Sequence, residues 1–215
     1  MWLNHRLQNV EQQMRKYVLQ DPDVFEELEK TDKRVANLSR YVTEKGGFPT
    51  YKNYHTTYYP WGKDKFEALI EELNKAEKFI FMEYYIIAPG TMWNAIHEVL
   101  RRKAESGVDV RIITPSHPDK WYVHMVSRSY YQTLIQSGVK IYEYQPGFIH
   151  AKMCLCDDEA AMVGTANLDY RSLYHHFENA VWMRGVDCLP RIEADFQDTL
   201  AQCRTSGWQD KAAVK

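Results

Sequence analysis

Along residues 1–45 the apolar positions recur at three- and four-residue steps. Leu3, Leu7, Val10, Met14 and Tyr17 form one stripe, the signature of an amphipathic helix. Asp21-Pro22 interrupts it, since proline is at home only in the first turn of a new helix. Phe25, Leu28, Val35, Leu38 and Val42 then predict a second helix, which Gly46-Gly47 ends. Two roles fit these helices: packing on the body of the protein, or an arm that meets a membrane surface or a second copy.

From Tyr54 the pattern changes. Tyr58-Tyr59 closes a short predicted strand, and Asp64 with Glu67 reads as a capping box opening a helix to Lys75. Phe79 to Ile87 reads as a buried strand. Met92 to Ser106 reads as a helix whose inner face carries Trp93, Ile96, Val99 and Leu100, with Gly107 as its stop. A strand is predicted over Val108 to Ile113, a helix over Trp121 to Ser137 ended by Gly138, and strands over Val139 to Tyr144, Ile149 to Cys156 and from Ala161. Strands alternating with helices indicate a layered α/β fold.

The chemistry gathers near the end of this pattern. His150 and Lys152 stand two apart on a predicted strand, so their side chains are expected on one face. A neutral imidazole can attack phosphorus while a neighbouring ammonium holds a phosphoryl oxygen. Asp157 falls where the strand should end, a place suited to fixing a turn or holding a cation. Taken alone, His150 could equally be an ordinary satisfied histidine. Gly164 to Ser172 then reads as strand end, tight turn and helix start, followed by Phe177-Glu178.

With these residues in register the chain resembles the phospholipase D superfamily of His-Lys-Asp phosphodiesterases. The family motif is met at His150, Lys152 and Asp157, its G-x-x-N element at Gly164 and Asn167, and its downstream carboxylate at Glu178, where His176 replaces the usual Asn. Roughly residues 35–185 resemble bacterial cardiolipin synthases of this type. Tyr59 to Phe66 and Phe79 to Ile87 look like their first half, while Ser127 to Tyr131, Gly138 to Phe148 and Val163 to Ser172 look like their second. The seam falls near Arg111 to Pro115. Those synthases carry two His-Lys-Asp motifs and usually start with transmembrane helices; this sequence shows one motif and starts after that place.

The resemblance implies a single phospholipase D-like lobe: a mixed β-sheet flanked by helices over 54–204, an N-terminal helical arm over 1–53 and a tail over 205–215. It implies a phosphatidyltransferase acting on phosphatidylglycerol through a phosphohistidine, with His150 as nucleophile or acid, Lys152 and Asn167 holding non-bridging oxygens, and Glu178 orienting His150. Asp157 joins this set through the motif, although a structural role suits it better. Thr165 and Ser172 could donate to phosphate or serve as turn and cap residues. With one motif per chain, the active site would be completed by His150 of a second copy, in a two-fold homodimer. Neither a metal nor another cofactor is expected. A hydrolase of lipid or nucleic-acid phosphodiesters and an inactive binding lobe are the alternatives.

Composition narrows the partners. With 27 Lys and Arg against 29 Asp and Glu, a net charge of -2 argues against a nucleic-acid ligand. Four cysteines are too few for a disulfide scaffold, and free thiols are expected, with Cys154 and Cys156 sharing a strand face. No apolar run reaches the roughly 18 residues of a span. Peripheral contact with the cytoplasmic face of a bacterial membrane is therefore expected, with Trp2 to Leu19 as the contact helix, its Arg6, Arg15 and Lys16 beside Trp2, Leu3, Leu7 and Met14.

Overall fold

The computed structural model describes residues 20–51, 57, 59–117 and 121–206. The helix predicted over Leu3 to Tyr17 lies outside them. The chain divides into two units, 1–58 and 59–215.

In the first unit, helix α1 (Pro22–Thr31) starts where the sequence places it. Asp21 caps it by accepting from Asp23 N, and Pro22 takes the first turn. The single predicted helix is two helices. Asp32 leaves helical geometry, and its carboxylate accepts from Arg34 N to start α2 (Lys33–Gly46). An Asp that can cap a new helix competes with continuing the old one. Gly47 closes α2 in the left-handed conformation. Gln20, just ahead of α1, is tied to Thr50, after α2, accepting from Thr50 N at 2.7 Å and donating to Thr50 O at 3.0 Å.

The second unit is built on a seven-stranded mixed sheet. The strands are β1 (Phe79–Tyr84), β2 (Asp109–Pro115), β3 (Lys140–Tyr144), β4 (Lys152–Cys156), β5 (Ala160–Gly164), β6 (Ala180–Arg184) and β7 (Cys203–Thr205), in the order β6-β5-β4-β1-β2-β3-β7. β1, β2 and β3 run parallel, while β4, β5, β6 and β7 pair antiparallel with their neighbours. The helices are α3 (Gly62–Lys75), α4 (Thr91–Glu105), α5 (Trp121–Arg128), α6 (Tyr131–Gln136) and α7 (Leu189–Leu200). A π-helical turn spans Arg171–His175.

Period-two alternation assigns the two faces of the sheet. On β1, Ile80, Met82 and Tyr84 join Leu69 and Leu73 of α3, Trp93, Ile96 and Leu100 of α4, and Cys154 and Cys156 of β4. The opposite positions meet α7, where Phe81 stacks on Phe196 with centroids 4.7 Å apart. All four cysteines are free thiols, and the two on β4 share a face.

Several elements differ from the sequence pattern. Tyr59 is in no strand, and Tyr58 lies outside the described residues. The predicted capping box is not made: Trp61 is the cap residue of α3, without a side-chain bond, and Asp64 already lies inside the first turn. Aromatic Trp61 offered no capping signal. The helix predicted over 121–137 breaks at Ser129-Tyr130 into α5 and α6. Ser127 Oγ, buried, bonds both Ile87 N and Ile87 O instead of serving only its own helix. α7 and β7 carry no prediction above. The strand from Phe79 stops at Tyr84, and the strand from Ile149 starts only at Lys152.

Candidate active site

The late start of β4 decides the position of His150. β4 pairs with β1 in the register Lys152↔Tyr84, and Tyr84 is the last residue of β1. The ladder runs out there, so His150 lies beyond the strand and does not share a strand face with Lys152 as expected. Its side chain is exposed. The ring packs against Tyr85 at 4.9 Å and stacks on Phe148 at 5.7 Å between centroids. The local chain nevertheless brings the pair together: Lys152 Nζ donates to His150 O at 2.7 Å and lies 5.4 Å from the centre of the Tyr85 ring.

Lys152 itself is buried. Burial holds its pKa below the usual lysine value, and the nearby Glu178 carboxylate opposes that shift. An ammonium has three donors, so this group can serve both His150 O and an incoming oxygen.

The remaining residues hang from the end of β5. At Gly164 an added Cβ would stand 2.5 Å from Asn179 O and equally close to Ala180, so only glycine lets β5 and β6 pair here. Thr165 is consumed by the same junction. Its hydroxyl donates to Glu178 Oε2, and Asn179 N donates to it at 2.9 Å. Asn167 Oδ1 accepts from Ile86 N at 3.2 Å, which anchors the amide to the segment after β1 and leaves its NH2 as the donor end. Ser172 is buried in the π-helical turn, and its N–H donates to Asp169 Oδ1 at 3.2 Å, a capping arrangement.

Glu178 is mostly buried, just ahead of β6. Besides Thr165, it faces His176 Nδ1 at 3.4 Å. Arg171 Nε donates to His176 Nε2 at 2.7 Å. A ring that accepts at Nε2 carries its proton on Nδ1, so the chain Arg171–His176–Glu178 is polarised in one direction. The histidine replacing the usual Asn thus has a defined place beside the carboxylate.

Asp157 is not in this group. It lies at the far end of β4, about 16 Å of strand away. Its carboxylate accepts from Glu77 N, Lys78 N and Phe79 N at 2.9, 2.9 and 2.8 Å, while Asp157 N donates to Phe79 O at 3.0 Å. Its φ of 50° is the positive-φ exception among the described non-glycine residues. Asp157 pins the start of β1 to the turn after β4, which is the structural role the sequence also allowed.

Tyr85, Phe148 and Arg171 also belong to the site and carry no sequence motif. Phe148 and Tyr85 flank His150 only because β1 and β4 end at the same level. Phe148 is exposed, as are Phe177, next to Glu178 in sequence, and the stacked pair Tyr170 and Tyr174.

Comparison with known proteins bears on the family and the fold. The family described as cardiolipin synthase, PLD-like domain, matches residues 69–200. An uncharacterized protein of Streptococcus mutans is 49% identical over 136 residues, covering 63% of this chain and 29% of that protein. Cardiolipin synthase 2 of Bacillus cereus is 42% identical over 107 residues, 50% of this chain and 21% of the synthase. Cardiolipin synthase of a Geobacillus strain is 45% identical over 103 residues, 48% and 20% of the two chains. The chain therefore spans less than a third of the length of these relatives. Among solved structures, the phospholipase D family member Nuc from Salmonella typhimurium superposes with a TM-score of 0.57 at 20% identity, over 65% of this chain and 89% of that one. NucT from Helicobacter pylori gives 0.55 at 16% identity, over 67% and 92%. A family match over more than half of the chain, on a sheet of the corresponding fold, identifies the chain as a member of the phospholipase D-like family of cardiolipin synthase domains.

Proposed function

We propose that the protein is a phosphatidyltransferase that joins two phosphatidylglycerols into cardiolipin and releases glycerol. The observation that carries this reading is an exposed histidine, His150, whose backbone carbonyl receives the buried Lys152 ammonium, on a chain related to cardiolipin synthases. In the first step a ring nitrogen of His150 attacks phosphorus. The bond to the glycerol oxygen breaks, and that oxygen takes a proton from a second histidine. In the second step that histidine removes the hydroxyl proton of the incoming phosphatidylglycerol, whose oxygen displaces His150 from phosphorus. Lys152 and the Asn167 amide hold the non-bridging oxygens as charge shifts. Glu178 stabilises the imidazolium of His150, and Thr165 holds Glu178 in place.

The chemistry uses two histidines, and the motif supplies one. The second is His150 of another copy in a two-fold homodimer, facing the first across the axis. The exposed rings of Phe148, stacked on His150, and of Phe177, next to Glu178 in sequence, support this arrangement, since they are suited to burial on association. No helix among the described residues is long and apolar enough to cross a membrane. The substrate phosphodiester lies at the bilayer interface, so the protein works peripherally, at the cytoplasmic face of the membrane.

The test is incubation with phosphatidylglycerol vesicles, with lipid products separated and glycerol measured. Cardiolipin and glycerol formed in equal amounts, by a species with the solution mass of a dimer, are expected. Phosphatidic acid in place of cardiolipin would mean that water is the acceptor. Cleavage of single-stranded DNA without lipid turnover would replace the reading by a nuclease.

A further inference from the structure

Lys65 lies in the first turns of α3, a helix that packs closely on the π-helical turn. At Gly62 an added Cβ would stand 2.0 Å from Leu173 O. The Lys65 ammonium is buried and has no hydrogen-bond partner among the described residues. An ammonium in that condition is costly unless a charge answers it. Burial holds its pKa below the usual lysine value, and the two groups that oppose the shift are Cys154 and Glu178. Cys154 stands two residues after Lys152 on β4, on the same face of the sheet. Tyr84, whose buried hydroxyl also lacks a partner among the described residues, lies beside Cys154 on that face.

The Glu178 charge thus opposes the effect of burial on two ammonium groups, Lys65 from α3 and Lys152 from β4. Arg171 is exposed and engaged with His176, so the charge of the buried set is counted from the two lysines and Glu178. Lys152 with Glu178 alone is neutral and offers little to a phosphodiester anion. With Lys65 the buried set carries one positive charge, the complement of one phosphodiester. We infer that Lys65 is a positioning residue of the phosphate site: its buried ammonium answers Glu178, so that the charge of Lys152 is directed to a non-bridging oxygen. This rests on the reading of the pocket as a phosphodiester site.

Sulfate is a suitable probe, because it keeps its charge over the whole pH range of interest. Its binding to the full chain is measured by calorimetry between pH 6 and 10, for the parent, Lys65→Met, Lys65→Arg and Lys152→Met. Lys65→Met is expected to weaken binding about fivefold or more near neutral pH. The parent's affinity should fall as pH rises and Lys65 loses its proton. Lys65→Arg, whose charge persists, should bind like the parent at low pH and fall less steeply. A purely structural lysine would not change that pH dependence. Sulfate affinities of Lys65→Met equal to the parent at every pH would overturn the inference. If that variant does not fold, a Lys65→Arg curve that follows the parent throughout does the same. Unchanged binding in Lys152→Met, or none by the parent, would instead remove the phosphate site itself.

Discussion

The two ends of β4 are built on opposite terms. At its C-terminal end Asp157 accepts three backbone N–H groups and returns one, so both the carboxylate and the start of β1 are fully answered. At its N-terminal end the ladder stops, His150 lies beyond it against Tyr85 and Phe148, and ionisable groups are held where burial works against their charge. Lys152 is one such group. Glu83, opposite Met153 on the other face, is a second: burial pushes its pKa to about 7, with Asp195 adding to the shift. Glu83 Oε1 has no hydrogen-bond partner among the described residues. One end of the strand thus contributes stability, and the other holds charge at a cost that burial imposes. A five-residue strand separates them, so each can be altered without the other.

The sharpest break is His150→Asn. The ring's packing is confined to the surface contacts with Tyr85 and Phe148, so the thermal midpoint should stay within about 4 °C of the parent. Lipid turnover should fall by at least about 10⁴-fold, because the nucleophile or acid is gone. Appreciable residual activity would remove His150 from the chemistry. Glu178→Gln comes next. It keeps the shape that Thr165 and His176 meet, but the charge that supports an imidazolium is lost. A fall of about 10²–10⁴-fold in rate, with an altered pH–rate profile, is expected. Superimposable profiles would make Glu178 a structural carboxylate.

Asp157→Ala probes the opposite end. It leaves three N–H groups without their acceptor and puts alanine at φ 50°, so a loss of about 2–4 kcal/mol is expected. That corresponds to roughly 10 °C in thermal midpoint. Activity per folded molecule should be retained, and a rate defect in fully folded protein would bring Asp157 back into the site. The smallest effect concerns Glu83→Gln. A carboxylate whose folded pKa lies above its unfolded value favours the folded state at low pH. That contribution is lost between about pH 4.5 and 7, as the unfolded chain ionises first. Denaturant unfolding of the parent should therefore show stability falling by up to about 2–3 kcal/mol over this window, and the Gln variant should lack the fall. Parallel curves would show that Glu83 is not the buried acid of this end.

Much of the second unit was legible because its signals are local. Trp93, Ile96, Val99 and Leu100 fall at helical spacing, and all four are buried in α4 as that spacing requires. The β1 run is buried on both faces and reads as a continuous apolar stretch. The site motif was legible as a set of residue types, but its placement was not. The pattern extended the strand back to Ile149, whereas the register with β1 ends it at Lys152. Ser129-Tyr130 interrupts a helix that the pattern runs through, because Ser127 is engaged by the segment after β1, 40 residues away in sequence.

By itself the sequence determined the alternation of strands and helices, the helix start at Asp21-Pro22 and the helix stop at Gly46-Gly47, and the residue types available for phosphoryl chemistry. These depend on spacing, on capping and on backbone freedom, all of which act within a few residues. Tertiary structure decided the rest: that His150 stands clear of β4 between Tyr85 and Phe148, that Asp157 lies at the wrong end to share its chemistry, and that Glu178 is held by Thr165 beside His176. Such placements arise where strands from distant parts of the chain come into register. Burial then changes what a charge costs, which no local pattern of residues encodes.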